Sequence, residues 1–181
     1  VGLKPTYGRV SRFGVLPLAE SLDHVGPMAR TVGDVATMYD AIAGYDPQDA
    51  TSLVDAVSSA AAELGGGVKG LRIGIDRKYH LAGIDAEQVA SIEEALKVLE
   101  GLGARIVEVR MPDLTGMIPA WFTLASAEAV AAHKANFPSR ANEYGLYFRE
   151  VLQVGSSWTE AQIAGAKKIR ARITAGFNQL L

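Results

Sequence analysis

Between positions 71 and 110 the spacing of apolar residues changes from a period of two to a helical period and back. The alternation at each end predicts two short strands, because successive side chains of a strand point to opposite faces. The middle part predicts a helix, with Asp85 placed to cap its first turn. Strand, helix and strand over about 40 residues predict parallel pairing through a right-handed crossover, a βαβ unit. The residues that carry this pattern are Leu71, Ile73, Ile75, Val89, Ile92, Leu96, Leu99, Ile106, Val107 and Val109.

Glycine and proline interrupt the short apolar pieces of the first 30 residues. Glycine permits positive φ, whereas proline fixes φ and removes a hydrogen-bond donor, so this stretch is predicted to be extended and turning. We predict short strands at Leu3–Pro5, Arg9–Ser11 and Val15–Pro17.

Helical spacing predicts further helices on both sides of the βαβ unit. Thr31 and Asp34 form a capping-box-like pair at the start of the first helix, and Gly44 follows its end. Pro138 is expected to stop the helix that begins at Ala120. The last helix reaches Leu181 without a capping residue, so we expect the chain to be cut inside it. The predicted helices span 32–43, a short piece around 53–64, Ala120–Ala135, 143–153 and about 159–181.

These elements predict an α/β fold, a mixed β-sheet surrounded by helices, with the βαβ unit at about 71–110. The composition is globular, with 49% apolar and 21% charged residues among 181, and we predict one domain over residues 1–181. A net charge of −2 argues against nucleic-acid partners, and no apolar run approaches the roughly 18 residues that span a membrane. The chain has no cysteine, which excludes disulfides and suits a cytoplasmic protein.

Motifs of a self-contained catalytic site are missing from the sequence. No serine lies in a G-x-S-x-G or S-x-x-K pattern, and the three histidines are far apart, so neither a nucleophile nor a metal site is predicted. The glycine-rich run at 65–70 lacks the hydroxyl of a phosphate-binding loop. A basic cluster near the C-terminus is interpreted as a solvated helix face. Its members are Lys167, Lys168, Arg170 and Arg172.

Two sets of residues have both a structural and a functional interpretation. Ser11, Ser21 and Asp23 flank turns and are expected to bond nearby backbone; the functional alternative is that Asp23 orients core loops. Trp121 and Phe122 follow a predicted parallel strand and a proline, and they are our candidate substrate-binding residues. They would line an acyl-side cavity, although such large apolar groups are equally compatible with an ordinary core.

The runs GLKPTYGRVSRFG, SLDHVGPMARTVGDVA and GYDPQDATS resemble the amidase signature family, in the segment that follows its nucleophile loop. The combination of runs carries the resemblance, which is dense over residues 2–52 and continues more loosely to about residue 180. It implies a partial amidase-signature core, and an internal fragment of a larger amidase-signature domain.

The resemblance also implies an amidohydrolase that cleaves a non-peptide carboxylic amide to an acid plus ammonia or an amine. In the family the catalytic Ser, cis-Ser and Lys triad lies upstream of this segment. The chain is therefore expected to hold no catalytic residue and to supply scaffold and part of a substrate cavity. A small-molecule amide is the implied ligand, and no cofactor or metal is implied. We expect the 181-residue chain alone to be inactive.

Two alternatives stay open. Within the family, the chain also resembles the A subunit of the tRNA-dependent amidotransferase, which releases ammonia from glutamine. The region 119–149 lacks the tyrosine-rich run expected of that subunit, which favours a stand-alone amidase. The other alternative is a non-catalytic α/β binding or assembly module, in which apolar surface left by lost sheet neighbours drives formation of a homo-oligomer.

Overall fold

A computed structural model describes residues 1–180, so the predicted cut at Leu181 lies outside the described residues. Short 3-10 turns occur at Leu64–Gly66 and Ala141–Glu143. The strands are β1 (Arg72–Ile75) and β2 (Arg105–Glu108). The helices are α1 (Val32–Ile42), α2 (Ala60–Glu63), α3 (Arg77–His80), α4 (Ala86–Gly101), α5 (Met117–His133), α6 (Leu146–Gly155) and α7 (Glu160–Leu180).

The predicted βαβ unit is confirmed. Strands β1 and β2 pair in parallel, from Arg72 opposite Arg105 to Ile75 opposite Glu108. Helix α4 connects them, and the Asp85 side chain accepts a hydrogen bond from the Glu87 amide at its first turn. The short helix α3 was not predicted, because a single turn is too short to show helical periodicity.

Helix α1 lies within one residue of its predicted bounds. The Thr31 hydroxyl accepts a hydrogen bond from the Asp34 amide at 3.1 Å, as the capping pattern predicts. Val35 and Ala36 form its buried face. The helix ends before Ala43, whose backbone is extended, and Gly44 follows with φ of 154°, a conformation that favours glycine.

The three short strands predicted in the first 30 residues are wrong. Only isolated antiparallel bridges occur there, from Gly2 to Met28 and from Val10 to Ala43. The extended and turning backbone was predicted correctly, but side chains take up many of its hydrogen bonds, as described below. The helices and the small two-stranded parallel sheet give the α/β fold that the sequence predicts.

Three other helices differ from their predicted bounds. Helix α2 occupies only the end of the piece predicted around 53–64, and α6 begins three residues later than predicted. Helix α5 begins at Met117 rather than at Ala120 and ends at His133 rather than at Ala135, five residues before the Pro138 that was expected to stop it. Within residues 1–180, no helix has both the length and the apolar character needed to cross a membrane.

The described chain divides into two compact units. The first unit comprises Val1–Leu64 and Ile118–Arg170, and the second comprises Gly65–Met117 with the segment from Ala171 onward. The single domain predicted over 1–181 stays a prediction, because two compact units can belong to one domain. In the first unit a buried cluster joins α5 to α7. It consists of Ala120, Leu124, Ala166 and the partly buried Ile163 and Ile169.

Candidate functional site

Arg12 is the centre of a buried polar cluster in the first unit, with a side chain only 8% exposed. Its guanidinium donates to the Tyr7 hydroxyl at 3.0 Å, the Thr51 hydroxyl at 2.8 Å and the Glu20 carbonyl at 2.7 Å. The same group lies 5.0 Å from the centre of the Tyr7 ring, a cation–π contact. These bonds hold together loops that are up to 39 residues apart in the chain.

Asp49 supplies the buried negative charge beside Arg12. Its carboxylate lies 4.0 Å from the Arg12 Nε and accepts the Arg12 backbone amide at 2.8 Å. Hydrogen bonds from the Thr51 hydroxyl and then from the Arg12 amide lower the pKa of Asp49 to about 2, while the charge of Arg12 contributes least. Asp49 is therefore ionised at neutral pH, and the buried guanidinium has a partner of opposite charge.

The loop held by Arg12 forms one wall of a cavity of about 440 Å³. Asp23 shapes this loop, because its carboxylate accepts the Leu18 amide at 2.8 Å and the Ala19 amide at 3.1 Å. That is the structural role predicted for Asp23. Four large apolar side chains on the loop are nevertheless exposed. They are Phe13, Val15, Leu16 and Leu18.

A second polar cluster joins three distant parts of the first unit at Ser21. The Ser21 hydroxyl donates to one Glu128 oxygen at 2.7 Å, and the Ser21 amide donates to the other at 2.8 Å. Arg170 then donates from NH1 to the Ser21 hydroxyl oxygen at 2.6 Å. All three residues are half-buried. Among residues 1–180, no carboxylate lies within 4.0 Å of the Arg170 guanidinium, whose side-chain hydrogen bond there is the one to Ser21.

The candidate substrate-binding residues Trp121 and Phe122 lie on α5. Trp121 is 54% exposed, whereas Phe122 is half-buried. Trp121 precedes Glu128 by seven residues, so the two occupy the same helix face about 10 Å apart along the axis. Exposed Ile118, one turn before Trp121, extends this face. An apolar face that ends at a polar cluster can bind a ligand with one apolar and one charged end.

The basic cluster on α7 is not a uniform solvated face. Lys167 and Lys168 are exposed as predicted, but that interpretation is wrong for Arg170, which bonds Ser21. In the second unit, Arg172 forms an ion pair with Asp113. Glu128 was missed altogether, because its partner lies 107 residues away and no local pattern marks it.

The three histidines have separate surroundings. His24 bonds the Leu22 carbonyl, and His80 accepts the Asp76 amide. His133 bonds the Tyr144 hydroxyl at 3.0 Å and packs against its ring and that of Phe148, so its surroundings are structural. Across residues 1–180, no group of three or more His, Asp or Glu side chains is arranged to hold a metal ion.

Comparison with known proteins identifies the family of this chain. The family model described as Amidase matches residues 1–178. The chain belongs to the amidase family. The match covers both the glycine- and proline-rich start and the last helix.

Curated relatives in this family are named as the A subunit of glutamyl-tRNA(Gln) amidotransferase. The protein from Trichlorobacter lovleyi is 38% identical over 203 positions, covering 99% of this chain and 42% of its own length. The protein from Pseudomonas savastanoi pv. phaseolicola is 49% identical over 128 positions, covering 71% of this chain and 26% of its own length. The chain therefore spans about two fifths of the length of the first relative. Because the first alignment is longer than the chain, that relative contains positions that this chain lacks.

Solved structures of the amidase family share the fold. The A subunit of glutamyl-tRNA(Gln) amidotransferase from Thermotoga maritima superposes with a TM-score of 0.79 at 31% identity, covering 98% of this chain and 39% of that one. A structure reported as a vestigial protein complex related to an s-triazine catabolic enzyme superposes with a TM-score of 0.83 at 29% identity, covering 99% of this chain and 38% of that one. Native peptide amidase from Stenotrophomonas maltophilia superposes with a TM-score of 0.67 at 30% identity, covering 89% of this chain and 38% of that one.

Proposed function

We propose that the protein containing this chain cleaves the C–N bond of a carboxylic amide through an acyl-enzyme. The observation that carries the proposal is membership of the amidase family over residues 1–178. The Ser, cis-Ser and Lys triad implied by the resemblance is not assigned to any of these 181 residues. An activated serine beside preorganised backbone donors would attack the amide carbon, and the nitrogen would leave as ammonia or an amine.

The contribution of this chain is a binding surface for the acyl part of the substrate. Trp121 supplies apolar area at one end of the α5 face, and half-buried Phe122 is the next residue around the helix. At the other end, Arg170 offers guanidinium donors of the kind that bind carboxylates. This combination supports a substrate that carries a carboxylate as well as the amide, as glutamine does.

The specific reaction that we propose is ammonia release from glutamine, with this chain as part of the A subunit of an amidotransferase. The named relatives favour it, since they match nearly the whole chain at 36–38% identity. The second candidate is a stand-alone amidase. It is favoured by the positions that the chain lacks relative to those proteins and by the absence of a tyrosine-rich run in 119–149. Because the named relatives match nearly the whole chain, we rank ammonia release from glutamine first.

Ammonia release by the whole protein tests this proposal. We expect hydrolysis of glutamine or of a neutral amide such as pentanamide, and covalent labelling by a serine-reactive fluorophosphonate. The absence of both turnover and labelling would overturn the amidase proposal. Amidation of Glu-tRNA(Gln) when partner subunits are added would establish the amidotransferase reaction. Efficient turnover without them, and no transfer with them, would establish the stand-alone amidase.

The 181-residue chain is the matched control in the same assays. We expect neither turnover nor labelling, because no catalytic residue is assigned to it. Serine-dependent turnover of an aryl amide by this polypeptide would contradict that expectation.

A further inference from the structure

The Ser21 hydroxyl bonds two groups of opposite charge, the Glu128 carboxylate and the Arg170 guanidinium. The hydroxyl hydrogen is committed to Glu128, and the hydroxyl oxygen accepts from Arg170. The second Glu128 oxygen is occupied by the Ser21 backbone amide. Both oxygens of the carboxylate therefore bind Ser21, and neither lies within ion-pair distance of Arg170 among the described residues.

This arrangement has a consequence for the guanidinium. An arginine that faces a carboxylate directly forms a bidentate pair, which uses two of its five donors in one plane. With Ser21 between them, Arg170 uses NH1 for a neutral hydroxyl, and its charge is not cancelled by contact with an anion. Glu128 still holds the hydroxyl in one rotamer, and so it fixes the point at which Arg170 is anchored.

We propose that Ser21 is a positioning residue that keeps Arg170 from pairing with Glu128 and thereby holds the guanidinium ready for the carboxylate of an amide substrate. The inference rests on the proposed function, since it needs a substrate with a carboxylate. The inference goes beyond the proposed function by assigning Ser21 and Glu128 a role in substrate selection. The ligand class is a short monoamide of a dicarboxylic acid, with glutarate monoamide as the probe.

The competing interpretation is that the three residues only fasten the 17–23 loop to α5 and α7. A structural fastening would affect every substrate alike, whereas the proposed role affects substrates that carry a carboxylate. Two amides of equal length separate these interpretations. Glutarate monoamide carries the carboxylate, and pentanamide has a methyl group in its place.

The experiment uses the whole protein with Ser21→Ala, Glu128→Gln and the double substitution. In Ser21→Ala the Glu128 carboxylate loses the hydroxyl donor and is free to pair with Arg170, so the guanidinium is withdrawn from the substrate. We expect KM for glutarate monoamide to rise on the order of tenfold, with kcat little changed, as for loss of one hydrogen bond to a charged group. KM for pentanamide should not change.

Adding Glu128→Gln to Ser21→Ala is the decisive rescue. It removes the competing negative charge, so KM for glutarate monoamide should fall back toward the original value. Lys168→Gln on the exposed face of α7 and Ser157→Ala at the end of α6 are controls that leave both KM values unchanged. An equal rise in KM for both amides, or no rescue by the double substitution, would overturn the proposal.

A binding measurement keeps this inference separate from the proposed function. Calorimetric titration with glutarate needs no turnover, so it works even if neither amide is cleaved. We expect binding that Ser21→Ala weakens and the double substitution restores. If the original protein binds no glutarate, the inference fails whatever amides it cleaves; if it binds glutarate but cleaves no amide, only the proposed reaction fails.

Discussion

The segment 2–30 and the βαβ unit between β1 and β2 are stabilised by different kinds of hydrogen bond. In the βαβ unit, backbone groups pair along a parallel ladder and within α4. In the segment 2–30, isolated bridges replace a ladder, and side chains such as Arg12 and Asp23 bind the backbone instead. The backbone bonds of the βαβ unit repeat along the sequence, whereas the side-chain bonds of the segment 2–30 depend on single residues whose partners are distant. Single substitutions should therefore be more damaging in the segment 2–30.

The largest difference is expected between two arginines. Arg12→Met removes a buried cation that bonds Tyr7, Thr51 and the Glu20 carbonyl and lies 4.0 Å from Asp49, so the free energy of unfolding should fall by about 3–5 kcal/mol. Arg77→Met in the βαβ unit removes a 43% exposed cation that pairs with Glu93 and Glu108, and the loss should be much smaller because water screens both pairs. Urea unfolding of both variants measures the difference. Equal losses would contradict the comparison.

A glycine pair tests whether close backbone approach contributes to the stability of the segment 2–30. Gly8 and Gly14 both have φ of 79°, but only at Gly8 would an added Cβ overlap the Thr51 carbonyl oxygen. Gly14→Ala should cost about 1–2 kcal/mol for the left-handed backbone alone. Gly8→Ala should cost about 3 kcal/mol or more, because backbone must move as well. Thermal unfolding that ranks the two variants equally would show that the contact with Thr51 can relax freely.

Acid should weaken the first unit through Asp49. Its pKa is lowered from 3.8 to about 2 by the Thr51 hydroxyl and the Arg12 amide, so the folded chain binds this proton less tightly than the unfolded chain does. The resulting stabilisation, about 2 kcal/mol, is present above pH 4 and is lost as the pH falls toward 2. Unfolding measured between pH 6 and 2 should show a smaller loss in Asp49→Asn. A pH dependence identical to that of the original protein would exclude Asp49 as its source.

The smallest effect is expected at a helix cap of the βαβ unit. Asp85→Ala removes the acceptor for the Glu87 amide at the start of α4 and should cost about 1 kcal/mol. Asp85→Asn keeps an acceptor and should retain most of the stability that Asp85→Ala loses. Chemical denaturation of the two variants provides the measurement, and an alanine variant as stable as the asparagine variant would show that the cap contributes nothing.

Elements with a repeating pattern could be predicted from the sequence. Helix α1 and the βαβ unit lie within one or two residues of their predicted bounds, and both predicted caps form. The strands predicted in the first 30 residues are wrong, because short apolar pieces between glycines and prolines do not specify a strand partner. In the candidate site, Trp121 and Phe122 stay predictions, Arg170 was interpreted as part of a solvated helix face, and Glu128 was missed.

The sequence by itself determined the family, the α/β class and the position of each capped or periodic element, since these depend on neighbours within a few residues. Only the tertiary structure decided that Arg12 meets Asp49 and that Ser21 meets Glu128 and Arg170, across separations of 37 to 149 residues. The physical reason is that a hydrogen bond between distant side chains leaves no periodic trace in the chain. Its geometry exists only after the loops and helices that carry it have packed together.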